Sequence, residues 1–179
     1  KIWIFLAGYL LSFVWTGQQA LAATQGTLGT TSTATAVITV VIPPNFKISG
    51  MQDLALGSYS GSGAMAGDRD ICVYSNGTGS YRVLITDDST LSPSGFSAQN
   101  SSATASIPYT VRWNGTTGTA GNTNVNYNTP RAYSGANTLS TDCSVGGLSA
   151  NIRVNFTQAN LRSVPGDAYS TTITVVIEP

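Results

Sequence analysis

Tyr169-Ser-Thr-Thr-Ile-Thr-Val-Val-Ile-Glu178, followed by Pro179, decides the fold. Tyr169, Thr171, Ile173, Val175 and Ile177 fall on one side of a strand and the residues between them on the other. Ahead of it, Ala150-Asn-Ile-Arg-Val-Asn-Phe156 alternates Ala150, Ile152, Val154 and Phe156 with Asn151, Arg153 and Asn155. A period of two marks half-buried strands, here joined by the loop 157–167. No further strand can be drawn after Glu178. The free side of this last strand is therefore expected to find its partner upstream or on another molecule.

The composition agrees with an all-β chain. Its 179 residues suffice for one domain with a substantial core. Gly, Ser, Thr and Asn abound and the apolar residues are short and β-branched, which favours strands and turns over helices. Only 9% of residues are charged, and the eight basic and eight acidic side chains cancel. That balance gives no electrostatic basis for binding nucleic acid or an anionic membrane. Histidine is absent, so no Ser-His-Asp or Cys-His set exists. The expectation is a non-enzyme with no cofactor and no metal. Asp87-Asp88 reads as the start of a turn. Asp68 and Asp70 share a face, but Arg69 lies between them and the calcium-loop pattern is missing.

Lys1, the uncharged run 2–15 and the small-x-small site Ala20-Leu21-Ala22 describe a secretory signal peptide, 1–22, cleaved after Ala22. No membrane attachment is expected after cleavage. Export gives a meaning to the two cysteines, Cys72 and Cys143, in a compartment where thiols oxidise. One bridge between them closes a loop of about 70 residues, worth roughly 4 kcal/mol in the chain-entropy model. Redox or metal-binding thiols usually come as C-x-x-C, which is missing.

In order, 23–33 reads as a flexible N-terminal extension holding Leu28. Ala34-Thr-Ala-Val-Ile-Thr-Val-Val-Ile42 reads as a strand, apolar enough to be covered on both faces, ended by Pro43-Pro44. A short strand or two around Phe46, Ile48, Met51, Leu54 and Leu56 follows, then a flexible connection, 58–67. The runs 70–75 and 80–86, joined by Asn76-Gly-Thr-Gly79, read as a hairpin. A polar loop, 87–105, leads to a strand, 107–113, with Tyr109, Val111 and Trp113 on one face. The stretch 116–141 offers few anchors, Val125, Tyr127 and Tyr133 among them. Seven or eight short strands without a helix or an internal repeat predict a single antiparallel β-sandwich.

Three stretches then bring a family to mind. They are 35–42 leading on to Leu56-Gly-Ser-Tyr59, then Ile71-Cys-Val-Tyr-Ser-Asn-Gly-Thr-Gly-Ser-Tyr-Arg-Val83, and the closing 159–175 with Pro165-Gly166 and Tyr169. In order and spacing the region 34–179 resembles the spore coat protein U-like domain of secreted proteins and archaic chaperone–usher pilus subunits. Two features depart from that pattern. The second cysteine is Cys143, where the family places it near the end of the first strand, and Thr171 stands where an Asp is usual.

The resemblance implies an immunoglobulin-like sandwich, 34–179, that lacks its last strand and receives it in trans. The donors would be a periplasmic chaperone and later a neighbouring pilus subunit, with an outer-membrane usher as a further partner. The product would be a fimbrium on the cell surface, with a role in adhesion or biofilm. On this reading Val154, Phe156, Ile173, Val175 and Ile177 line the acceptor groove, and Leu28, Ala36, Ile38, Val40 and Ile42 are the candidate donor segment. Three other readings stand beside it: a complete domain closed by 34–42, a non-polymerising coat or envelope protein, and a carbohydrate-binding module using Trp113, Tyr109, Tyr127 and Tyr133.

Overall fold

The computed structural model describes residues 23–92 and 94–179, so the expected signal peptide lies outside the described residues. The described chain divides into two units at the Ile42–Pro43 boundary. In the first, Thr24 and Thr35 pair with each other through two backbone hydrogen bonds of 2.9 and 3.0 Å. Residues 36–42, expected as a strand covered on both faces, have no regular structure and are exposed throughout. Val37 at 62% is the least exposed of their large apolar residues and Ile38, at 89%, the most. Alternation and branching give this segment the capacity to be a strand, but a strand also needs a ladder partner. Among the described residues it has none.

The second unit, Pro43–Pro179, contains β1 (Phe46–Ser49), β2 (Met65–Ser75), β3 (Tyr81–Asp87), β4 (Ser97–Asn100), β5 (Ser106–Pro108) and β6 (Thr110–Asn114). After these come β7 (Thr123–Asn124), β8 (Arg131–Tyr133), β9 (Ala150–Phe156), α1 (Gln158–Arg162), β10 (Tyr169–Ser170) and β11 (Ile173–Glu178). Every pairing between them is antiparallel. The sheets run β1-β2-β9-β6-β7, β11-β3-β8 and β10-β4-β5. The fold is a single antiparallel β-sandwich. Its core is one cluster in which Ile71, Val73, Val111, Trp113, Ile152 and Val154 of the five-stranded sheet meet Tyr81, Val83 and Ile85 of β3. Across it, Trp113 Nε1 donates to the Tyr81 hydroxyl at 3.2 Å, which satisfies a buried indole N–H. Burial pushes the Tyr81 phenol above its usual range.

Four expectations need correction. The hairpin 70–86 does not form. β2 pairs with β1 and β9, and β3 with β11 and β8, so the turn 76–80 crosses from one sheet to the other. Ile71 and Val73, both 0% exposed, meet Tyr81, Val83 and Ile85 face to face across the core instead of side by side. The turn still uses its glycine: Gly79 has φ of +81°, and a Cβ there would lie 3.1 Å from the Ala136 carbonyl oxygen.

The run 169–178 is two strands in two sheets. Asp88 Oδ1 accepts from Thr172 N at 2.8 Å and from the Thr171 hydroxyl at 3.0 Å, which takes those residues out of either ladder. The run 107–113 likewise splits at Tyr109, whose N–H bonds the Phe96 carbonyl at 3.1 Å. The loop 157–167 contains the five-residue α1, whose N-cap Thr157 accepts from Asn160 N at 3.2 Å. A helix of little more than one turn is too short to show a hydrophobic period.

Cys72 and Cys143 are bonded, with S–S 2.05 Å, tying β2 to the loop before β9. That loop is organised by Asn137, whose amide donates to the Val145 and Gly147 carbonyls at 2.6 and 3.1 Å. Its oxygen accepts from Leu139 N and Ser140 N. Polar caps do there what apolar anchors do elsewhere.

Candidate functional site

The site begins with two unfinished edges. β11 is bonded to β3 on one side and β1 to β2 on one side; their other edges carry no ladder among the described residues. β1 and β11 approach each other, and the chain leaving β1 and the chain entering β11 then bound a groove of about 470 Å³. One wall is the irregular segment 51–57 and the other is 169–173. Between them lie Arg69 of β2, Ile152, Val154 and Phe156 of β9, Ala98 and Tyr109. A second cleft of about 660 Å³ continues it past Met65, Ile107 and Leu161, between 56–59 and 164–169. The two share Leu56, Gly57, Ala98, Phe156 and Tyr169, so they form one continuous trough.

Local sequence explains the walls. Gly67 on β2 lets Leu56 lie flat on the sheet, since a Cβ there would stand 2.6 Å from Leu56 Cδ2. Pro165-Gly166 and the Asp88 bonds to Thr171 and Thr172 hold the opposite wall off the β11 ladder. Its neighbour Asp87 accepts from Ser97 N at 2.8 Å and from the Tyr109 hydroxyl at 3.0 Å. The two adjacent carboxylates brace the wall from two directions. Backbone donation from Thr172, above all, holds Asp88 below the ordinary carboxylate range. Burial, reinforced by the charge of Asp87, drives the Tyr109 phenol far up.

Of the groove residues expected from sequence, Val154, Phe156 and Ile173 come together in this trough. Val175 and Ile177 lie farther along the same face of β11, half-buried against the core. Leu28, Ala36, Ile38, Val40 and Ile42 are all exposed. Sequence reasoning missed Leu54, Leu56 and Tyr169 as walls and Arg69 as part of the floor. Arg69 is legible once β2 is begun at Met65, because Met65, Gly67, Arg69, Ile71 and Val73 then share one face. Two buried polar atoms along the trough, Arg69 Nε and the Tyr59 hydroxyl, have no hydrogen-bond partner among the described residues. One repeat also escaped notice: Ile38-Thr-Val-Val-Ile42 recurs as Ile173-Thr-Val-Val-Ile177.

The aromatics proposed as a sugar platform are mostly interior. Trp113 is 0% and Tyr109 5% exposed. Tyr127 packs edge-on to Phe96 at 5.2 Å, and Tyr133 stacks on Tyr81 at 6.2 Å. Among the described residues no group of three metal-ligating side chains occurs, and no helix is long and apolar enough to cross a membrane.

No protein-family model matches the chain, and no curated protein matches it. Solved structures do. A chain of a chaperone–tip adhesin complex of CFA/I fimbriae biogenesis aligns over 76% of this chain and 41% of its own length, at 15% identity and a TM-score of 0.51. CfaE, the adhesive subunit of CFA/I fimbria of enterotoxigenic Escherichia coli, aligns over 67% of this chain and 37% of its own, at 15% identity and a TM-score of 0.45, too distant to add weight. The chain thus spans about two fifths of the length of these structures. What it shares with the fimbrial complex is a fold.

Proposed function

We propose that the chain is a secreted subunit of a surface fibre of the chaperone–usher kind, and that its trough accepts a strand from another molecule. The trough lies between two strand edges without ladders and is walled by apolar residues; that observation carries the reading. An incoming strand would gain main-chain hydrogen bonds along β11 and side-chain burial over Val154, Phe156 and Ile173, as in strand addition generally. Left open, the same edge invites aggregation. A periplasmic chaperone would cover it in transit, an outer-membrane usher would receive the complex, and a neighbouring subunit would replace the chaperone in the fimbrium. Residues 1–22 would leave as signal peptide, 23–33 would serve as extension, and 34–42 would be this subunit's own donor. Adhesion or biofilm formation would be the fibre's use.

The test uses the chain from Ala23, exported into an oxidising compartment without partners. Its oligomeric state and thermal unfolding are followed with and without a peptide of residues 24–42. The expected outcome is a low-melting or self-associating protein that the peptide stabilises. A monomer whose melting the peptide leaves unchanged would sink the proposal in favour of a self-complete coat or envelope protein. A sugar-binding reading finds no support in the interior position of Trp113 and Tyr109.

A further inference from the structure

Arg69 stands where an aliphatic residue belongs. On β2 it shares a face with Ile71 and Val73, both 0% exposed, and it pairs with Ile152 of β9. It lines the trough, and its Nε is buried without a partner among the described residues. The ion pair found among them is Arg82–Glu178, at 3.9 Å, on the surface. A buried guanidinium N–H lacking an acceptor is a standing cost, removed only by something that brings an oxygen to it.

We propose that Arg69 determines which strand the trough accepts, and that it reads the alanine end of a second copy's 34–42. This rests on the strand-accepting reading above and deepens it. The occupant is argued from the chain itself. Among the described residues, six of the twelve exposed large hydrophobics are Leu28, Val37, Ile38, Val40, Val41 and Ile42. The last five residues of the stretch repeat those of β11, which already shows how that pentapeptide lies on this sandwich. There Ile173, Val175 and Ile177 turn inward, while Thr174 and Val176 face out. The same orientation turns Ile38, Val40 and Ile42 inward, and with them Ala36 and Ala34. A branched residue over Arg69 would seal the guanidinium without offering an acceptor. An alanine leaves room beside the guanidinium for a bridging water. Arg69 therefore lies beneath Ala36, and the branched residues fill the rest.

The experiment titrates the full chain, at high dilution, against a fluorescent peptide of residues 33–43 read by anisotropy. Ala36→Glu in the peptide places a carboxylate beside the half-buried guanidinium and is expected to tighten binding about tenfold. On the Arg69→Met chain, which keeps the volume of the stem, the same peptide is expected to bind about tenfold more weakly than the unmodified one, because its carboxylate is buried unpaired. Ile38→Glu is expected to weaken binding to both chains. A merely structural role for Arg69 would shift all peptides together and would not reverse the sign. The inference is overturned if Ala36→Glu weakens binding equally on both chains, or if the gain appears at Ile38 or Val40 instead. The comparison of peptides on the unmodified chain decides even if Arg69→Met fails to fold. If the unmodified peptide does not bind at all, the strand-accepting reading falls, and this inference with it.

Discussion

Ile38–Ile42 and Ile173–Ile177 are the same five residues in two conditions. The second copy is β11, hydrogen-bonded to β3 from Ile173 opposite Asp87 to Ile177 opposite Val83, with its inward row half-buried. The first has no ladder among the described residues, and its isoleucines are 89% and 75% exposed. The five residues are identical, so their own propensity is identical, and the difference comes from what surrounds them. β3 offers one copy a bonded edge and a core to cover. If 38–42 is a donor strand, its edge and its core belong to a different molecule.

The comparison breaks most visibly under matched substitutions. Val175→Asp turns a charge toward the core and is expected to cost about 3 kcal/mol or more, seen as a large fall in the denaturant midpoint. The equivalent Val40→Asp is expected to leave the isolated chain within about 0.5 kcal/mol of the parent while abolishing assembly into fibres. Equal losses of stability would show that the first copy is already packed within its own chain. Hydrogen exchange sharpens the contrast without mutation. Those amides of 173–177 that donate to β3 are expected to exchange about a thousandfold or more slowly than the amides of 38–42, and assembly into fibre should erase the gap.

The smallest effect is at Asp88, which holds Thr171 and Thr172 off the ladder so that the β11 copy starts at Ile173. Its carboxyl is lowered in the fold, so its contribution is present above the ordinary value of 3.8 and is lost as pH falls below it. Asp88→Ala is expected to cost at most about 1 kcal/mol at pH 7, solvent screening trimming the value. The difference from the parent should shrink as melts are taken through pH 4 toward 3, and a constant difference would assign the effect to packing instead.

Much of the sandwich was legible because alternation is a local property. β9 and β11 stand out by period alone, and two cysteines leave one possible pairing. Partnership was not legible. Asn76-Gly-Thr-Gly79 supports a tight hairpin and a crossing between sheets equally well, since the turn residues specify φ and not the neighbour. The breaks at Tyr109 and Thr171-Thr172 depend on acceptors 13 and 83–84 residues away, Phe96 and Asp88. Arg69 was hidden by a strand begun five residues late, at Asp70 instead of Met65. With the correct start, a charge in an apolar row becomes conspicuous.

The repeated pentapeptide has a consequence in time. A chain made from its N-terminus presents 38–42 early, β3 some forty residues later, and 173–177 last. While synthesis proceeds, the first copy is available to the edge of β3 and the rightful one is not. Its five residues match that edge as well as β11 does. Were that edge to accept it, the ladder would have to be undone before β11 could dock. Anything that sequesters 38–42 until β11 is made would then speed folding without touching the finished sandwich.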